Sequence, residues 1–338
     1  MEGVTFRKRP LLKNPCLICA WPGMGDVAFK AAAYLAEQLK AEPFAEIPPE
    51  DFFYLTGNVI ENGLIRLPEL PYSKFLFWKN PAAAKKKSRL SAVFCDTCPS
   101  DVVIFTSNAQ PDLTKAHDYC ARIISVARAL KVKTVVTLAA MPQPIDHTQQ
   151  PAVWFAGTSA EVNEHFKKYN PSILQEGQVS GMNGLFLGMA KRAGFEGFCL
   201  LGEIPLYTIQ IENPKASHAV LETLARMLHI DISFAGLIEQ AHVIESEINK
   251  LLDYLKVGTA GAAAPIGEEE IEKIKKTLSQ LTKLPISMKE KIEKLFEQAK
   301  TDISKAAELK FELDKWNVYK EYEDRFLDLF KRTEGSSN

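Results

Sequence analysis

The sequence predicts an α/β fold, a three-layer arrangement in which a doubly wound, largely parallel sheet is covered by helices on both faces. Three observations carry this. Near-continuous apolar runs recur through the first two-thirds of the chain, each is followed by a stretch with helical apolar spacing, and Gly and Pro punctuate the joints. A strand that is apolar at nearly every position is buried on both sides, which is the situation in a sheet with helices on each face.

The elements follow in order. "PCLICAW" from Pro15 is the first buried strand, and the segment from about Asp26 to Lys40 is the first long helix. "DVVIFTSNAQP" from Asp101 is a buried strand with a loop at its end, and Leu113 to Leu130 is helical with one apolar face. "KTVVTLAAM" from Lys133, "AVWFAGTS" from Ala152 and "FEGFCLLGEIP" from Phe195 complete the strong strands. Helices lie between them near 160–169 and 183–193, and another follows Pro214. One segment breaks the rhythm: in "NVIENGLIRLPELPYSKFLFWKN" the pair Asn62-Gly63 separates two β-like runs, the favoured type I′ turn, so a hairpin and an added antiparallel strand are expected. The basic stretch "PAAAKKKSRLSA" that follows is expected to be a solvated loop.

The last third changes character. "KVGTAGAAAPIG" from Lys256 has the composition of a flexible linker. Beyond it, highly charged segments with helical apolar spacing predict a helical hairpin with Pro285 in its connection, and "YEDRFLDLFKR" adds a short amphipathic piece. The expected organisation is an α/β/α unit over 1–255, a linker over 256–267 and a helical extension over 268–332.

Net charge is -1 and hydrophobic content 46%, an ordinary globular composition with no general pull toward nucleic acid or an anionic membrane. No apolar run approaches the roughly 18 residues of a membrane span, no signal-peptide pattern is visible at the N-terminus, and a cytoplasmic location is expected. Of the six cysteines, Cys16/Cys19 and Cys95/Cys98 form two C-x-x-C pairs, while Cys120 and Cys199 stand alone. Residues three apart on a strand point to opposite faces, so Cys16 and Cys19 do not share an ion without a bend; no metal and reduced thiols are expected.

The stretch "AWPGMGDVAFKAAAYLAEQL" from Ala20 poses the functional question. Gly23, Gly25 and Ala28 match the spacing of a dinucleotide-binding turn between strand and helix, and Glu46 lies 21 residues after Gly25, near the place of a ribose-binding acid. Two features oppose that reading. Pro22 removes a backbone N–H from the turn, and Asp26 puts a carboxylate where the pyrophosphate would sit. An acid there is expected to cap the helix, with a loss of roughly 0.5–2 kcal/mol on truncation. No cofactor is expected.

Other chemistry-bearing residues are dispersed. The loops at strand ends carry Asn108, Gln110, Asn183 and Glu203, which with Gly23, Gly25 and Asp26 outline a candidate cleft; each also suits a cap or turn. His147 beside Asp146 follows a strand and so lies at the carboxyl edge, where α/β proteins bind ligands; His117 and Asp118 follow the "SNAQP" loop at the start of the next helix, and His218 suits a solvated or partly buried helical position. No G-x-S-x-G or H-E-x-x-H occurs, and no catalytic residue is assigned.

"AWPGMGDVAFKAAAYLAEQLKAE", "SGMNGLFLGMAKRAGFEGFCLLGEIP", "YTIQIENPKASHAVLETLARMLHIDI" and "AAELKFELDKWNVYKEYEDRFLDLFKR", in that order, resemble the hallmark segments of the proteasome assembly chaperone 2 family. The resemblance spans almost the whole chain. It implies an α/β/α domain similar to the purine nucleoside phosphorylase fold, a helical extension, homo-oligomers (a trimer first, a tetramer second) and work as a chaperone on proteasome-like subunits. The family also carries an ATP-grasp label, for which this chain shows no long nucleotide-binding architecture. Some archaeal relatives end in a hydrophobic-Tyr-any tripeptide; Ser336-Ser337-Asn338 departs from it, so docking by that route is not expected. The preferred expectation is a non-catalytic, homo-oligomeric assembly factor working by surface complementarity, its self-contact made by the apolar hairpin with Phe75, Phe77 and Trp78. The alternative is a small-ligand-binding protein, or a phosphorylase- or hydrolase-like enzyme, using the strand-end cleft.

Overall fold

The computed structural model describes residues 3–55, 57–81, 101–260, 286–302, 305–315 and 319–331. A short β1 (Thr5–Phe6) precedes β2 (Cys16–Ala20), all five residues of which are buried. Helix α1 (Val27–Gln38) and β3 (Glu42–Glu46) follow, then the hairpin strands β4 (Val59–Glu61) and β5 (Leu64–Arg66), β6 (Ser73–Trp78) and β7 (Val102–Ser107). Helix α2 (Ala116–Ala129), β8 (Thr134–Gln143), β9 (Val153–Gly157), α3 (Ala160–Phe166), β10 (Ser172–Ile173), α4 (Gly181–Arg192), β11 (Glu196–Pro205) and α5 (Pro214–Leu228) complete the α/β part. Helix α6 (Ala235–Ala260) packs on the outside of α5.

Nine strands form one sheet in the order β1-β3-β6-β7-β2-β8-β11-β9-β10. The central four, β7, β2, β8 and β11, are parallel, as the buried strands predict. Strand β6 is antiparallel to both neighbours, as the hairpin segment predicts. The expectation of a largely parallel sheet has to be corrected at β9, which runs antiparallel to β11. The connection from Gln143 to Val153 holds nine residues and no helix. A parallel return needs a crossover of a dozen residues or more, so this short loop sends the chain back the other way.

Two apolar layers sandwich the sheet. Cys16, Ile18 and Ala20 of β2 meet α1, α5 and α3 on one face, while Leu17 and Cys19 meet α2 and α4 on the other. Cys16 and Cys19 thus do lie on opposite faces. With Cys120 and Cys199 they are buried free thiols, and burial pushes Cys16, Cys120 and Cys199 up to about 12. Cys95 and Cys98 lie outside the described residues.

The C-terminal part differs from expectation in its joints. Helix α6 runs to Ala260, into the segment whose composition suggested a linker; 261–285, with Pro285, lie outside the described residues. The run expected as one helix is two, α7 (Ile286–Thr301) and α8 (Lys305–Lys315), packed against each other, so the reversal falls near Asp302. Helix α9 (Tyr319–Lys331) closes a three-helix group: Arg325 makes a paired hydrogen bond to the Glu293 carboxylate at 2.6 Å and lies over the Phe296 ring.

Candidate functional site

The carboxyl ends of β2, β7, β8 and β11 lie at one edge of the sheet, where ligands settle in open α/β folds. The turn after β2 sits at its centre. Gly25 (φ +59) and Asp26 (φ +48) are consecutive left-handed residues. The Gly25 N–H donates to the Ile209 carbonyl (2.9 Å), the Asn213 N–H donates to the Gly25 carbonyl (2.8 Å), and the Asp26 N–H donates to the Gly23 carbonyl (3.0 Å). Amides that a phosphate would need are therefore already bonded to protein. A Cβ on Gly25 would also approach the Asn213 side chain to 3.3 Å, whereas Gly23 is extended and has only Asn183 Nδ2 nearby, at 3.6 Å.

Asp26 stands at the N-cap position of α1, but its side chain makes no capping hydrogen bond, which corrects the expected cap. Capping needs an extended backbone that swings the side chain over the first-turn amides, and the stitching of the turn to the β11–α5 loop holds Asp26 left-handed instead. The Val27 N–H is satisfied by the Met24 carbonyl in a preceding 3-10 turn.

Asn183 has a different task from the helix cap suggested for it. It is buried on the first turn of α4; Trp21 N–H donates to its Oδ1 (3.0 Å) and its Nδ2 donates to the Trp21 carbonyl (3.1 Å). The side chain thus continues the hydrogen-bond ladder where β2 ends. Gln110 bridges the same region, donating to the Pro22 carbonyl (2.7 Å) and accepting from Met182 N–H (3.2 Å). Asn108 lies farther along the edge and accepts from Tyr72 N–H (2.7 Å). Glu203 accepts from Ala152 N–H (3.0 Å) and from the Trp154 indole (2.8 Å). The structure therefore gathers Gly23, Gly25, Gln110 and Asn183 around one turn, with Asn108 and Glu203 toward the two sides.

Glu46 is not at that turn. Strands β7 and β6 separate β3 from β2, which sets them about 14 Å apart at ordinary strand spacing, and Glu46 pairs with Arg7 (3.1 Å). In a dinucleotide fold the acid-bearing strand adjoins the first one, and here it does not.

A second polar cluster caps β8 and β11. His147 is buried; its Nδ1 and backbone N–H each lie 2.8 Å from the Tyr207 hydroxyl, and its Nε2 lies 2.8 Å from Asn249 Oδ1 on α6. Lys215 donates to the His147 carbonyl (2.9 Å) and to Glu245. Hydrogen bonds from the Thr148 hydroxyl and amide hold the Asp146 carboxyl below its ordinary range, and burial pushes the Tyr207 phenol up. A phenol that resists ionisation is a poor nucleophile, and the cluster clamps α6 onto the sheet edge. Sequence reading singled out Asp146 and His147 but missed Tyr207, Lys215, Glu245 and Asn249, which come from loops and helices far along the chain. Asn213, which caps α5 by accepting from Ala216 N–H (2.9 Å), was also missed, although Asn before Pro at a helix start is a visible signal. His117 and Asp118 are solvent-facing, and the His218 ring packs on Phe234.

Around the central turn the edge exposes several large apolar side chains among polar ones such as Lys115, Asp146 and Thr148. Leu113 follows β7, Leu206 and Tyr207 follow β11, Leu185 lies in the second turn of α4, and Tyr54 and Leu55 follow β3; all are exposed. The hairpin β4–β5 rises from the same edge, because the segment joining β3 to β6 starts and ends there. Phe75 and Phe77 belong to the core beneath α2, and Trp78 packs half-buried on the opposite layer. The burial of Phe75 and Phe77 takes those two rings out of an outer contact, whereas Trp78 stays partly exposed on the face that also carries exposed Lys74.

Comparison with known proteins agrees with this architecture. The model of the PAC2 family matches residues 17–252. An uncharacterized protein of Methanocaldococcus jannaschii is 27% identical over 270 residues, covering 78% of this chain and 93% of that protein. The crystal structure of Pyrococcus furiosus PbaB, an archaeal proteasome activator, superposes with a TM-score of 0.60 at 25% identity, covering 73% of this chain and 97% of that one. The proteasome-assembly chaperone homologue of Mycobacterium tuberculosis shares the fold, with a TM-score of 0.55 at 24% identity over 70% of this chain and 94% of its own. With its model matched from the first central strand to the outer helix, this chain belongs to the PAC2 family.

Proposed function

We propose that this chain is a non-catalytic assembly factor that docks proteasome-like subunits on the carboxyl edge of its sheet and works as a homo-oligomer in the cytoplasm. The observation that carries the reading is the contrast within that edge. Its polar side chains and turn amides at the centre are bonded to backbone groups, while its rim exposes Leu113, Leu185, Leu206 and Tyr207. Exposed apolar side chains around a centre whose polar groups are already bonded suit a protein partner better than a small polar ligand. Family membership and the likeness to PbaB, a proteasome activator, supply the class of partner. The α/β unit would carry the docking edge, and the C-terminal helices would serve as an extension clamped to it through α6.

The test is binding of the full chain to purified proteasome α-type subunits, measured by biolayer interferometry. Leu206→Asp should weaken binding at least tenfold without changing the circular dichroism spectrum, because a charge at an apolar contact is desolvated without a partner. Absence of binding by the wild-type chain, or equal binding by Leu206→Asp, would contradict the reading.

A further inference from the structure

The β4–β5 hairpin forms a two-stranded sheet of its own, with pairs Val59↔Arg66, Ile60↔Ile65 and Glu61↔Leu64. Asn62 (φ +52) and Gly63 (φ +78) make the two-residue turn. In such a turn the flanking pair, Glu61 and Leu64, is hydrogen-bonded across the hairpin. Pairs alternate along an antiparallel ladder, so Ile60 and Ile65 form a non-bonded pair whose N–H and C=O groups point outward. Among the described residues no strand other than β4 pairs with β5. The hairpin's two faces also differ. Val59 and Leu64 share one face with the Glu61–Arg66 ion pair (3.3 Å), whereas the other carries Ile60 and Ile65, 71% and 72% exposed, with no charge.

We infer that β5 pairs with β5 of a second copy of this chain about a two-fold axis at Ile65, making a four-stranded antiparallel sheet. The geometry is self-complementary. Ile65 N–H of each copy meets Ile65 C=O of the other, which satisfies both outward-pointing groups. The uncharged face becomes one row of four isoleucines from Ile60 through the two Ile65 side chains to the second Ile60. On the charged face, Arg66 of one copy lies opposite Leu64 of the other, so no like charges face each other and each Glu61–Arg66 pair stays within its own hairpin. An isolated two-stranded ribbon is marginal in water, and four strands with an apolar face are not. This inference rests on the proposed self-association and assigns its contact; it predicts an even number of subunits, not the trimer.

The experiment is light scattering of the full chain at micromolar concentration, which needs no client and so fails or succeeds independently of subunit docking. The wild type should have the mass of a dimer or an even multiple. Ile65→Pro removes only the outward N–H and suits an edge strand, so it should at least halve the mass while circular dichroism and thermal midpoint stay unchanged. A second arm uses Ile65→Cys under mild oxidation, with wild type as the control for native thiols. Bonded antiparallel pairs hold Cα atoms about 5.5 Å apart, within disulfide reach, so a 65–65 link should appear in the peptide map, and Glu61→Cys should give no 61–61 link. A monomeric or odd-numbered wild type, an unchanged mass for Ile65→Pro, or absence of the 65–65 link would overturn the inference.

Discussion

Two glycine turns sit at the same edge of the sheet and have opposite surroundings. The turn at Gly25 is stitched into the protein on every side: its amide and carbonyl bond the β11–α5 loop, and the preceding Trp21 peptide is held by Asn183. The turn at Gly63 has no atom within 4 Å of where a Cβ would stand. Both glycines are left-handed, at φ +59 and +78. The same backbone requirement thus serves two ends. In one place it closes a loop over a core and consumes the donors a ligand would use. In the other it turns an apolar ribbon that, among the described residues, pairs with no further strand.

That contrast gives predictions, largest first. Three thiols in the layers under the Gly25 turn, Cys16, Cys120 and Cys199, are raised by burial from 9.0 to about 12. The folded state holds these protons more tightly than the unfolded chain. The stability they support is full below pH 9 and is lost progressively as pH rises toward 12. Urea titrations at stepped alkaline pH, followed by tryptophan fluorescence, should show unfolding midpoints falling steeply in that window and flat just below it. Asn183→Ala should cost about 3 kcal/mol in the same assay at neutral pH, since the Trp21 N–H and C=O would both be buried without partners. Gly25→Ala should cost about 1–2 kcal/mol for the left-handed backbone and the tight Asn213 contact. Gly63→Ala incurs a similar local penalty in a ribbon that contributes little to the global fold, so the unfolding free energy should change by less than about 0.5 kcal/mol. Equal effects at the two glycines would erase the distinction.

The fold was legible where burial alone decides structure. Strands β2, β7, β8, β9 and β11, and the helices between them, follow from apolar runs and spacing, and the Asn62-Gly63 hairpin follows from turn chemistry. What was not legible depends on partners distant in sequence. Asp26 reads as a cap in the sequence, and only the bonds that tie the neighbouring Gly25 N–H to the Ile209 carbonyl and the Gly25 carbonyl to the Asn213 N–H show why the turn is left-handed there. Asn183 and Gln110 read as turn residues, yet they repair the end of β2 across 162 and 88 residues of chain. Phe75 and Phe77 lie beside an exposed hairpin in sequence, and the antiparallel seating of β6 between β3 and β7 buries them. The break near Asp302 carries no Gly or Pro, so a continuous helix was the natural expectation.

The central claim is that the carboxyl edge is closed to small polar ligands and open to proteins. Amide hydrogen exchange on the full chain, alone, with millimolar ATP or NAD, and with purified proteasome α-type subunits, tests it most directly. The account predicts slow exchange at Trp21, Gly25 and Asp26 that nucleotide leaves unchanged, and new protection at Leu113 and at Leu206–Tyr207 when subunits are added. Fast exchange at Trp21–Asp26 that either nucleotide slows, with no change at Leu206–Tyr207 in the presence of subunits, would contradict it.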